Sequence, residues 1–159
     1  MMTPKPVLNP RRLLTGLVAV AVGCVLNYAG DHLLGQRVEL FFGLQTFNGI
    51  WFLEIFVLPL VVGFATSWIF GLGGKWLCYF PPLLVRVFAY YETVYMLGVP
   101  SGASLMPMGW WGFFVILAIE SAAIGGVAGE ILNKRIYGRT PREQIYKSAT
   151  PEKVSGNPE

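Results

Sequence analysis

Charge is scarce in this chain. Asp, Glu, Lys and Arg make up 13% of its 159 residues, about half of the share that covers an ordinary soluble domain. Histidine occurs once and cysteine twice. One histidine rules out bis-histidine haem ligation within the chain. Cys24 and Cys78 form no CxxC pair and no metal-ligand spacing, so they read as small apolar packers rather than a redox or zinc pair. HExxH, GxSxG and a Walker P-loop are all missing, which leaves metalloprotease, nucleophile-elbow and nucleotide-hydrolysis readings without their parts. No catalytic residue and no cofactor is assigned, and an enzyme is not expected.

What is abundant is apolar side chain, at 54% of the sequence. That excludes disorder, and its arrangement in long runs exceeds what a small soluble core could absorb. Four stretches meet the requirement of roughly 20 residues to cross about 30 Å of hydrocarbon. They cover residues 13–34, 50–70, 76–97 and 109–132. In lipid each backbone group must pair within its own segment, so helices are expected. Pro59 predicts a kink, and Pro81-Pro82 a kink or a late helix start. Residues 36–49, with Val38, Leu40, Phe41, Phe42, Leu44 and Phe47, are too short to span and too apolar for an ordinary loop. They read as an interfacial or re-entrant piece. The expected fold is an all-α integral membrane protein. It is a four-transmembrane-helix bundle with that short segment between the first two spans. Residues 1–12 form a cytoplasmic N-terminal segment, 13–136 the membrane domain and 137–159 a polar cytoplasmic tail.

The few charges carry orientation. All of the 12 basic residues except Arg37 and Arg86 fall at the ends or at Lys75, so both termini are expected in the cytoplasm. Nucleic-acid binding would need a basic face rather than basic ends, and is not expected. Trp51, Trp68, Trp76, Trp110 and Trp111 all lie near predicted span ends, where amphipathic rings settle among headgroups. The Gly71-Leu72-Gly73-Gly74-Lys75 stretch is too short for a P-loop and reads as a tight cytoplasmic turn. Ala21-Val22-Gly23-Cys24 resembles a lipoprotein cleavage site, but the apolar run continues past Cys24, so an uncleaved helix is expected. The expected location is multi-pass, in a bacterial inner (plasma) membrane.

An ionisable side chain inside a span is a functional hypothesis by default. Arg86 lies about 15 Å beyond Trp76, and Glu120 about 15 Å beyond Trp110, at about 1.5 Å per residue. Both fall near the midplane, so an Arg86–Glu120 ion pair is expected between the third and fourth spans. Its plain role would be to lock two helices in register. A proton or ion path, or pairing with another subunit, are the other roles open to it. A second group lies nearer the outer face: Asp31, His32, Glu54 and Glu92. These ligand types suit a hard metal or a proton, but spacing alone does not show that they converge, and no metal site is assigned. Asn27 and Asp31 are four apart and share a face of the first helix with Gly23.

The last span carries Gly125 and Gly129 with Ser121 one turn earlier. Small residues every four positions admit a second helix backbone at close range. The chain is therefore expected to be a small non-catalytic membrane subunit that docks into a larger complex through its helix faces. The alternative is a small oligomeric transporter or channel using Arg86, Glu120, Glu92 and Glu54 as a polar path. Its expected partners are the lipid bilayer and other membrane protein subunits.

Overall fold

The computed structural model describes residues 10–137. The segment before Pro10 and nearly all of the expected polar tail lie outside the described residues. The described chain is mostly helical. Helix α1 runs Pro10–Leu34. Proline is well placed at a helix start, where its missing N–H would be unpaired anyway. The helix stops at Gly35, whose φ of 66° suits the left-handed turn that closes a helix, and Gly35 N donates to Asp31 O at 3.0 Å.

Residues 36–49 fold back onto the helix ends. Strand β1, Leu40–Phe41, pairs antiparallel with β2, Ser104–Leu105, in the register Leu40↔Leu105 and Phe41↔Ser104. Val38, Glu39 and Leu40 are buried, whereas the tip residue Leu44 is 91% exposed. The segment is thus a short plug with an apolar tip. Val38 joins Ile55, Met106 and Phe114 in a buried cluster that Trp51 and Trp111 flank.

Helix α2 covers Gly49–Phe70. Asn48 caps it, its Oδ1 accepting from Trp51 N at 2.9 Å. A π-helical stretch, Leu53–Val57, interrupts the α pattern just before the buried Pro59. Proline at 59 removes the donor for a carbonyl one turn earlier, and a wider turn is a common way to absorb that defect. After a turn at Gly74–Trp76, helix α3 covers Phe80–Tyr91 and passes into a second π-helical stretch, Glu92–Leu97. Pro81 and Pro82 occupy its first turn, so of the two outcomes open to them they give the late start. Helix α4 runs Met108–Tyr137.

Among the described residues three helices are long and apolar enough to cross a membrane: Pro10–Leu34, Gly49–Phe70 and Met108–Ile136. The stretch expected as a further span, 76–97, instead opens with a turn and carries Arg86 and Glu92 in a helix beginning only at Phe80.

Apolar side chains gain little by leaving lipid for one another, so packing inside a bilayer depends on close backbone approach. The α2–α4 pair has that character. A Cβ at Gly63 would collide with the Ala122 carbonyl, and one at Gly125 with the Leu60 carbonyl. Gly129 lies against the Phe64 carbonyl. The small residues singled out in the sequence therefore serve a contact within the chain. Buried Ser121 turns its Oγ back to Leu117 O at 2.9 Å. Asn133 ties the lower end, donating from Nδ2 to Trp68 O at 3.1 Å. Helix α1 completes the bundle through Gly23, which meets Thr66 and Pro81, and Gly30, which meets Leu58. Its own lower end is held by Arg12, whose Nη2 donates to Leu72 O at 2.9 Å. Gly71 and Gly73 give that turn positive φ values of 86° and 89°.

Candidate functional site

Three segments distant in sequence deliver carboxylates to one guanidinium. Arg86, on the bundle-facing side of α3, is 2% exposed. Its Nη2 donates to Asp31 Oδ1 of α1 in a short ion pair. Its Nη1 donates to Glu54 Oε1 at 3.0 Å and to Glu39 Oε1 at 3.4 Å. Glu54 sits in the π-helical stretch of α2, where the widened turn changes the direction in which side chains leave the helix. Glu39 comes from the plug, just before β1, and its neighbouring backbone is fixed by Met106 N donating to Glu39 O at 2.8 Å.

The arrangement is a charge knot shielded from water. Arginine suits it, because its planar fork offers five N–H donors in fixed directions. The cation is outnumbered three to one by its partners. Asp31 Oδ2 and Glu54 Oε2 are buried and accept no hydrogen bond among the described residues, and both amide atoms of buried Asn27 are likewise unpartnered. Buried groups of this kind are nearly always satisfied by something, often water or an ion. The site therefore has unused acceptor capacity.

Beside the knot lies a cavity of about 140 Å³. Asp31, Glu39 and Arg86 line it, together with His32, Arg37 and Glu92. Arg37 spends one donor on Thr93 Oγ1 at 3.2 Å. Glu92 forms no ion pair among the described residues. His32 is exposed and packs its ring at 4.6 Å from that of Tyr28.

Most of the residues read as an outer polar cluster do meet here. Asp31 and Glu54 bind Arg86 directly, while His32 and Glu92 share the cavity without touching the guanidinium. Glu120 does not join Arg86. It is exposed on α4 and takes part in no ion pair among the described residues. The expected Arg86–Glu120 pair is corrected by helix rotation: Ala118, Ser121 and Ala122 form the buried face of α4, and Glu120 points away from it. Glu39 was missed. Its one signal was being the sole acidic residue of residues 36–49. Among the described residues no group of three or more His, Cys, Asp or Glu side chains is disposed to hold a metal ion. No known protein family, characterised protein or solved structure matches the chain.

Proposed function

We propose that this chain is a small non-catalytic membrane subunit that docks, through the outer face of α4, onto a partner whose transmembrane helix carries a basic residue. Four spans with both termini cytoplasmic, in a bacterial inner membrane, complete the reading. α3 and its π-helical continuation supply the third crossing, and the basic residues at the chain's ends supply the orientation.

The observation that supports docking is Glu120. It stands on a face of α4 whose neighbours Phe113, Ile116, Ile124, Val127 and Ile131 are all exposed apolar side chains. At about 1.5 Å per residue it lies about 15 Å from Trp110, near mid-membrane. An isolated carboxylate facing acyl chains is costly, and such residues almost always face a protein interior or a partner. A cation on a neighbouring helix answers that cost. The test is affinity purification of the tagged chain from native membranes in mild detergent. A partner held at fixed stoichiometry, and released by Glu120→Ala, supports the reading. Unchanged partner retention in that variant overturns it.

The transporter reading keeps one observation in its favour, the charged cavity beside Arg86. It differs in outcome, since it calls for a closed homo-oligomer of the chain alone.

A further inference from the structure

A second, apolar groove of about 530 Å³ runs down the outside of the α1–α3 seam. Cys24, Val25 and Ala29 of α1 form one wall, and Leu84, Val85 and Phe88 of α3 the other. Tyr28 lines both this groove and the charged cavity, so the two adjoin at its side chain. The seam thus offers a polar chamber beside a hydrocarbon-lined trough, which under the membrane reading opens toward lipid. That is the division of an amphiphile into head and tail. The trough lies within the range of roughly 300–1,000 Å³ usual for ligand clefts.

The chamber's chemistry selects the head. Arg86 is already committed to Asp31, Glu39 and Glu54, while Glu92 lines the chamber with no ion pair among the described residues. Asp31, a second lining residue, has its Oδ2 without a hydrogen bond among the described residues. These groups call for a cation with N–H donors, and a primary ammonium brings three. A quaternary ammonium brings none. Arg37 lines the same chamber and, among the described residues, spends one N–H donor on Thr93 Oγ1, leaving others for a phosphate oxygen. A purely anionic head would answer Arg37 and be repelled by the carboxylates.

We propose that the α1–α3 seam binds a membrane phospholipid whose headgroup carries a primary ammonium. Its head occupies the Glu92–Arg37 chamber, and one acyl chain lies along the groove below Tyr28. The inference rests on the membrane reading but not on docking through Glu120.

The test is native mass spectrometry of the full chain, delipidated in detergent and titrated with phosphatidylethanolamine, phosphatidylcholine and phosphatidylglycerol of identical acyl chains. Phosphatidylethanolamine should be retained about tenfold better than either competitor, the scale of one charge-assisted hydrogen bond. Glu92→Gln, which leaves the Arg86 knot in place, should abolish that preference. Ala29→Trp, which fills the groove, should weaken retention of all three lipids, and an unchanged thermal midpoint in both variants shows that they fold. Equal retention of the three lipids, a preference for phosphatidylglycerol, or a preference that survives Glu92→Gln overturns the proposal. Carbonate extraction separates the two failures. A chain released by carbonate overturns the membrane reading along with this inference, whereas a chain that stays in the membrane without lipid preference overturns this inference alone.

Discussion

Glu54 Oε1 accepts from Arg86 Nη1 at 3.0 Å, and both side chains are buried, Glu54 at 0% exposure and Arg86 at 2%. The pair joins the upper part of α2 to the middle of α3, and Asp31 and Glu39 bring α1 and the plug to the same cation. One side chain thus fastens four segments.

From this follows an asymmetry between partners. Arg86→Leu strands three carboxylates together in a site shielded from water, and should destabilise by at least the roughly 3–5 kcal/mol of a broken buried pair. Glu39→Gln keeps the shape, leaves Arg86 two anionic partners, and should cost only about 1–2 kcal/mol. Thermal unfolding of the two variants in the same detergent checks the order. An Arg86→Leu protein no less stable than Glu39→Gln would remove the knot from its structural role.

Close helix packing gives a second expectation. Gly63→Ala places a methyl group against the Ala122 carbonyl, a backbone atom that cannot swing aside. The α2–α4 pair must then part, at about 1–3 kcal/mol, as for other overpacked sites. Gly112→Ala is the control, since nothing lies within 4 Å of its added Cβ, and it should be neutral or slightly stabilising through better helix propensity. Equal melting points for the two variants would count against the packing described.

These expectations show what was legible in the sequence. The extents of α1 and α2 were, because the apolar runs at 13–34 and 50–70 match the helices Pro10–Leu34 and Gly49–Phe70 closely. Rotation about the axis was not. Counting residues puts Arg86 and Glu120 at one depth, yet Arg86 turns toward α1 and α2 while Glu120 turns outward, and no count of residues along α3 and α4 separates those cases. The π-helical stretches add to this, because each shifts the facing of the residues around it. Glu39 was hidden differently. Its place in the knot depends on a strand pairing between Leu40 and Leu105, a contact too long in range and too short in extent to leave a period in the sequence.

Topology can be tested without reference to function, in a background where Cys24 and Cys78 are replaced. Ser101→Cys, at an exposed position between α3 and α4, should react with an impermeant maleimide added to intact cells. Ser148→Cys, in the basic C-terminal region, should react only after permeabilisation. Labelling of position 148 from outside would reverse the orientation or change the number of crossings.

The last expectation separates the two pairings available to Arg86. In a double-mutant cycle, residues that share a network deviate from additivity by about 0.5–3 kcal/mol, whereas independent sites add to within about 0.5 kcal/mol. Arg86 and Glu54 belong to one knot, so Arg86→Leu combined with Glu54→Leu should be less damaging than the sum of the single changes, because the double variant leaves fewer unmatched charges. Arg86→Leu combined with Glu120→Leu should be additive in the isolated chain, since Glu120 faces away from the knot. Glu120→Leu alone should leave the stability of the isolated chain unchanged, or raise it slightly, while releasing the partner. Coupling between Arg86 and Glu120 in the purified chain would mean that α4 turns the other way, and would withdraw the argument that Glu120 awaits a cation from outside.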